Sequence, residues 1–211
     1  LQEDKVKKNI GDFISCHKIL SNQKLLLFVS SGRVYTLDPK KLPSGKSNPR
    51  SFIYFVESNS NEEIVNILPY ENKLRIVVAS YLGKGFIADL EEITTSQKKG
   101  KQLFNLKNHD KLYYISNNID EYIACVSSNS KLLVFKTNEL PTLKKGGGVQ
   151  LQKIKKDDNL SDLQIFNLSN GLNWQLGKQT RNEKNLDFWI GKRAQSGKKV
   201  PKRFNKNLKF F

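Results

Sequence analysis

The side chains that most often carry chemistry are few here and badly spaced. There are two histidines, His17 and His109, and two cysteines, Cys16 and Cys125. A zinc site needs three or four ligands at short spacings, and a nucleophilic triad needs a base beside an acid. Neither histidine has an acidic or cysteine partner at ligand spacing, so the sequence predicts no metal site and no triad. Two cysteines are too few for a disulfide framework and read as reduced thiols. Gly45-Lys46-Ser47 ends like a P-loop, but that cradle needs a glycine five residues before its Gly-Lys pair, where Lys40 stands. The carboxylate pairs Glu62-Glu63, Glu91-Glu92 and Asp157-Asp158 sit at polar strand ends, where they solvate turns rather than share a proton. The sequons at Asn159 and Asn167 carry no message without a secretion signal. No catalytic constellation is legible.

Cationic charge is abundant instead. The 211 residues hold 36 Lys+Arg against 20 Asp+Glu, a net charge of +16, with a pI near 9.7. Such a surface attracts polyanions over a Debye length. The excess is uneven: residues 1–140 carry 20 basic and 15 acidic side chains, residues 141–211 carry 16 and 5. Codon composition explains Lys over Arg, but not Lys over Asp+Glu. Lysine meets phosphate as a point charge, whereas arginine is the better reader of guanine, so the pattern favours backbone binding over sequence reading. The stretch 192–204 reads as a basic arm with little helix or strand signal.

The length suffices to bury a core, and no run of 18 apolar residues predicts a membrane span. A first residue Leu1, no methionine and no apolar leader suggest an internal or C-terminal piece of a longer chain. Short β-branched and aromatic runs bounded by Gly, Asn, Ser or Pro read as strands, among them 25–29, 33–37, 52–56, 64–68, 74–79, 85–88, 112–115, 122–126, 131–135 and 163–166. Helical periodicity is nearly absent before Leu186–Gln195. The expected class is all-β.

The strands recur in one order. Lys24–Tyr35, Lys73–Phe86 and Glu121–Leu133 each join two apolar strands through a small polar turn, the signature of a hairpin. Arg33, Lys84 and Lys131 occupy matching places, giving periods of 51 and 47 residues. Each copy then reaches an apolar residue (Leu42, Ile93, Leu140) and a basic loop containing glycine: Pro43-Ser44-Gly45-Lys46, Gln97-Lys98-Lys99-Gly100-Lys101, and Leu143-Lys144-Lys145-Gly146-Gly147-Gly148. A further strand follows each loop. A four-stranded unit of this length predicts a propeller-like blade, without the Trp-Asp marks of WD40 repeats. Glycine lets backbone approach a phosphate closely, and flanking lysines neutralise it. Loops repeated around a ring would line Lys98, Lys99, Lys101, Lys144 and Lys145 along one rim.

Several segments carry a family resemblance. Gly32–Leu37 with Lys41–Lys46, Lys99–Gln102, Asn129–Phe135, Glu139-Leu140-Pro141, Gly148–Gln152, Leu160-Ser161-Asp162 and above all Trp189–Gly197 with Pro201-Lys202 and Phe204 resemble the C-terminal domain of the A subunit of bacterial DNA topoisomerase IV. The resemblance covers roughly residues 22–211. It implies an all-β pinwheel, a short or open ring of about four four-stranded blades that exchange strands. The implied units are 22–70, 71–119, 120–168 and 169–211, within a single domain 1–211 that ends in a basic tail over 192–211. It implies that the domain binds and bends double-stranded DNA for an ATP-dependent type II enzyme, an A2B2 assembly active in chromosome segregation. ATP and magnesium would serve that parent, with no cofactor and no small-molecule substrate in this segment. A cytoplasmic, nucleoid-associated setting follows, with peripheral membrane association of the parent also implied. Seven tyrosines occur, none in a context like the cleaving one, so the segment is expected to be non-catalytic.

The implied DNA contacts are Lys46, Lys84, Lys98, Lys99, Lys101, Lys131, Lys144, Lys145, Lys198, Lys199, Lys202 and Arg203. The sibling domain of gyrase bears a Gln-Arg-Arg-Gly-Gly-Lys-Gly box. Its nearest counterparts here, Gln97–Lys101 and Lys144–Gly148, are degenerate, which favours topoisomerase IV over a gyrase wrapping domain. A propeller scaffold for an acidic protein is the reading from a different class. Attraction of residues 192–206 to anionic membranes is a third, weakened by the scarcity of large apolar residues there.

Overall fold

Hairpins repeat along the chain because each apolar pair of strands is joined by a turn that reverses it sharply. The computed structural model describes residues 17–43, 51–57, 62–107 and 109–211. Strands β1 (Leu25–Val29) and β2 (Arg33–Leu37) form the first hairpin. The second joins β4 (Arg75–Ser80) to β5 (Lys84–Asp89), and the third β8 (Tyr122–Ser127) to β9 (Lys131–Lys136). The turns end at Gly32, Gly83 and Ser130, with φ of 78°, 76° and 61°. Glycine takes that conformation without a Cβ penalty, whereas Ser130 carries one.

Each hairpin gains a third strand from its own unit. These are β3 (Ile64–Pro69), β7 (Leu112–Ser116) and β11 (Leu160–Phe166), antiparallel to β1, β4 and β8. The fourth strand comes from the unit that follows. β6 (Lys101–Gln102) pairs with β2, β10 (Val149–Gln150) with β5, and β14 (Lys198–Lys199) with β9. The orders are therefore β3-β1-β2-β6, β10-β5-β4-β7 and β11-β8-β9-β14. A fourth hairpin, β12 (Leu172–Leu176) with β13 (Gln179–Glu183), stays two-stranded among the described residues. This is an all-β pinwheel of blades that exchange strands.

Blades stack face to face, so central strands are buried on both sides and read as unbroken apolar runs. Even residues of β1 (Leu26, Phe28) meet Ile76, Val78 and Phe86 of the second blade. Val77, Ala79 and Ile87 meet Ile123, Cys125 and Phe135 of the third. Ala124, Leu132 and Val134 meet Leu172 and Trp174 of the fourth. The odd residues Leu25, Leu27 and Val29 face away from the second blade, and Phe52, Phe55 and Val56 pack against them. That packing explains a departure from the sequence reading. Residues 52–56 form a 3-10 turn over Phe52–Tyr54, not a strand, because a turn brings Phe52 and Phe55 to the same side.

The C-terminal region departs twice more. Leu186–Gln195 is not a helix: the Trp189 and Ile190 amides bond to the Leu186 carbonyl in one turn, after which the chain runs beside β9. Nor is the basic stretch a loose arm. It supplies β14, then buries Phe204 and Phe210 against the fourth blade. Trp174 Nε1 donates to the Arg203 carbonyl at 2.8 Å, and the Phe210 amide donates to Asp162 Oδ2 at 2.7 Å. Lys209 Nζ reaches the Tyr113 hydroxyl and the Ser161 carbonyl. The tail thus covers the face that the two-stranded blade leaves bare.

Burial pushes the Asp162 carboxyl above its ordinary value of 3.8, against the lowering pull of the Phe210 and Leu163 amides and Lys209. A raised native pKa means that this group favours the fold most below 3.8 and loses that contribution as pH rises through the raised value. Asp162→Asn keeps an acceptor for the Phe210 amide and should flatten the stability–pH curve over that interval. Unfolding midpoints compared at several pH values check this, and an unchanged curve would refute it.

Candidate nucleic-acid interface

The strand exchange decides where the repeated cations stand. Arg33, Lys84 and Lys131 open β2, β5 and β9, directly opposite Gln102, Gln150 and Lys199 of the incoming strands. Residues opposite in an antiparallel pair share a face, so each cation lies beside the end of an incoming strand. The glutamines clamp this junction. Gln102 Nε2 donates to the Ser31 and Phe104 carbonyls at 3.0 and 2.7 Å. Gln150 Nε2 donates to the carbonyls of Leu82, Gly83 and Gln152, the last at 2.7 Å. Lys199 makes no such clamp; Gln152 takes over, donating to the Lys131 and Ser196 carbonyls at 3.2 and 2.9 Å.

The loop glycines serve the same junction. Gly100, Gly148 and Gly197 each lie two residues before the clamp position, with φ of 66°, 64° and 75°. A Cβ on Gly100 would sit 2.6 Å from the Val34 carbonyl oxygen, on Gly148 3.0 Å from the Gly85 backbone, and on Gly197 2.4 Å from the Leu132 oxygen. Their close approach is to the preceding blade, whereas the sequence reading sets the loops of Gly100 and Gly148 against a phosphate.

The candidate cations divide by what holds them. Lys98 and Lys99 are exposed, and the Lys99 carbonyl is fixed by Arg33 Nη1 at 2.8 Å. Lys145, Lys198, Lys199, Lys202 and Arg203 are exposed too, whereas Lys84 and Lys131 are half-buried. Lys101 Nζ bonds to the Glu92 carbonyl, and Lys144 pairs with Glu92 Oε1 at 2.8 Å. That hydrogen bond holds the Glu92 carboxyl below its ordinary value and Lys144 above its own. Arg193 makes the corresponding contact at the next junction, its amide donating to Glu139 Oε2 at 2.8 Å and Nη1 to the Gln150 carbonyl. Lys144 is thus part of a blade junction as well as an exposed cation. Among the described residues the other ion pair is Lys111–Glu63, so none of the remaining described candidates belongs to an ion pair. Lys46 lies outside the described residues, with the Gly45 loop.

Two cations of the same series lie outside the sequence-derived set. Arg33 enters the sequence reading as an alignment anchor and not as a contact. Lys178 lies 47 residues beyond Lys131, in the fourth hairpin's turn beside Gly177. The repeat period points to it. A turn one residue shorter than the others puts it in the turn itself rather than at a strand start.

Groups that suggest other chemistry have structural duties. Glu62 accepts from the Ser31 and Tyr35 hydroxyls, and Asp158 from Ser128 and Asn129, all around turns. Cys125 is fully buried in the core, and burial pushes its thiol well above the ordinary range. Among the described residues no helix is long and apolar enough to cross a membrane.

A family model described as the DNA gyrase C-terminal domain, β-propeller, matches residues 75–113 and 121–167. The A subunit of DNA topoisomerase 4 from Rickettsia bellii is 37% identical over 191 residues, covering 90% of this chain and 26% of that protein. The Caulobacter vibrioides protein of the same name is 32% identical over 191 residues, covering 90% and 25%. The chain spans about a quarter of the length of these curated relatives. The solved E. coli ParC C-terminal domain superposes with a TM-score of 0.80 at 21% identity, covering 91% of this chain and 82% of that one. A DNA gyrase A C-terminal domain gives 0.68 at 16%, covering 98% and 73%. With its exchanged blades and this sequence similarity, the chain belongs to the family of C-terminal β-propeller domains found in the A subunits of bacterial DNA gyrase and topoisomerase IV.

Proposed function

We propose that this domain binds double-stranded DNA through its phosphate backbone and bends it, presenting the transported duplex to a topoisomerase IV. The parent would be an A2B2 enzyme that uses ATP and magnesium elsewhere, relaxing and decatenating DNA at the nucleoid in the cytoplasm. One observation carries the reading: a cation opens the return strand of three successive hairpins, each beside the strand arriving from the next unit. A periodic row of cations suits a periodic row of phosphates. A single acidic protein patch would not require the recurrence. Smooth bending of 20–30 base pairs costs on the order of 1–6 kcal/mol, which several phosphate contacts offset at moderate salt. Scarce arginine fits binding without sequence preference.

Affinity for an arbitrary duplex of about 40 base pairs, measured across a salt series, tests the proposal. Log affinity should fall linearly with log salt, by about 0.9 per phosphate neutralised, and scrambling the sequence should change little. Absence of binding at low salt would overturn it. Single variants add a finer expectation. Lys145→Ala should flatten the slope by about 0.9, and Lys144→Ala by less, because Lys144 is already engaged by Glu92. Equal changes would show that the Glu92 pair opens on binding.

A further inference from the structure

The third blade departs from the repeat at two places, and both add features that suit DNA. In the first two blades the incoming strand sets a glutamine opposite the rim cation; in the third it sets Lys199 opposite Lys131. Like charges directly opposite on an antiparallel pair repel. No described carboxylate relieves them. Such a pair is a seat for a phosphate, which would turn the repulsion into shared attraction.

The second departure is aromatic. Thr142 bridges to Ile87 and Ile190 to Val134 at equivalent places, and two residues earlier stand Leu140 and Phe188. Leu140 is 6% exposed, within the core, whereas Phe188 is 56% exposed. Its ring is braced edge-on by Trp189, with centroids 5.3 Å apart at 89°. Trp189 Nε1 in turn donates to the backbone carbonyl of Lys199 at 2.8 Å, holding the aromatic pair against β14. Lys198 Nζ lies 4.7 Å over the Phe188 ring. Beside it runs a groove of about 410 Å³ with Lys153 on its wall.

A rigid apolar ring among phosphate-binding cations is the arrangement with which proteins unstack a base step and kink a duplex. We propose that Phe188 inserts at one base step of the bound duplex and stacks on the base it exposes, while Lys198 beside the ring holds a flanking phosphate. The bend then contains a local kink at the third blade. This rests on the DNA-binding reading above.

The test compares two duplexes of about 40 base pairs, one fully paired and one with a central mismatch next to 2-aminopurine. A mismatched step is easier to unstack, so the protein should prefer it by about tenfold and raise the 2-aminopurine fluorescence. Phe188→Ala should lose both the preference and the fluorescence change while keeping the salt slope; Phe188→Trp should retain them. Because Phe188 is exposed, the alanine variant leaves the core intact. If the unaltered protein and Phe188→Ala bind both duplexes equally, with unchanged fluorescence, Phe188 is a surface ring capped by Lys198. The inference then fails while the DNA-binding reading stands. If neither duplex binds at low salt, both fail.

Discussion

Gly197→Ala should cost the fold about 3 kcal/mol, while Gly177→Ala should cost about 1 kcal/mol. Both glycines lie at positive φ, 75° and 61°, so both variants bear the left-handed penalty of an L side chain. Their surroundings differ. A Cβ on Gly197 meets the Leu132 carbonyl oxygen at 2.4 Å and its carbon at 2.8 Å, whereas on Gly177 it meets nothing within 4 Å. Leu132 belongs to a strand paired on both sides, so its backbone cannot give way without loosening β8 or β14. The difference between the variants therefore isolates close approach from backbone conformation. Denaturant midpoints measure it, and a Gly197→Ala protein as stable as Gly177→Ala would show that the junction yields. Since Lys198 and Lys199 follow Gly197 directly, the variant should also weaken DNA binding.

Changing Arg33, Lys84 and Lys131 together to glutamine should lower duplex affinity about a hundredfold near physiological salt and flatten the salt slope by about 2.7. Glutamine keeps most of each side chain's apolar stem, so the loss reports charge rather than packing. Stability should change little, because these side chains form no ion pair with a described carboxylate and lie at the ends of strands. Among the described residues, the bond from Arg33 to the Lys99 carbonyl is the side-chain hydrogen bond that the change removes. An unaltered slope in a folded triple variant would place the phosphates elsewhere, for instance on Lys202 and Arg203 at the tail.

The hairpins are legible in the sequence because their signal is local: two apolar runs around a small polar turn, repeated with a cation at a fixed place. The chemistry of the junctions is less so. β6, β10 and β14 are two residues long, and nothing in Lys101-Gln102 or Lys198-Lys199 states which blade they join. Strand exchange enters through family resemblance rather than through pattern. The loop glycines illustrate the limit most plainly. Their place beside lysines suggests a phosphate cradle, yet the backbone they approach lies in the previous blade, dozens of residues away. The 3-10 turn at Phe52–Tyr54 is hidden for a related reason, since an aromatic, β-branched run reads as a strand until the face of the first hairpin turned away from the second blade gives its rings somewhere to pack. The tail misleads by composition: basic residues alternate with Val200, Phe204, Leu208 and Phe210, and those apolar few decide where it lies.

Strand exchange also imposes a schedule on synthesis. β2 emerges from the ribosome with one edge bare, and Lys101, the start of its partner strand, follows roughly 65 residues later, a delay of several seconds at about 5–20 residues per second. β9 waits similarly for Lys198. Each of the first three units on the nascent chain therefore carries an open sheet edge until its successor is made, the kind of edge that recruits stray strands. Lysine and arginine at the mouths of those edges, Arg33, Lys84 and Lys131, repel a second copy of the same sequence during that interval. The charges proposed to hold DNA in the finished molecule would thus already guard neighbouring chains on a polysome from one another.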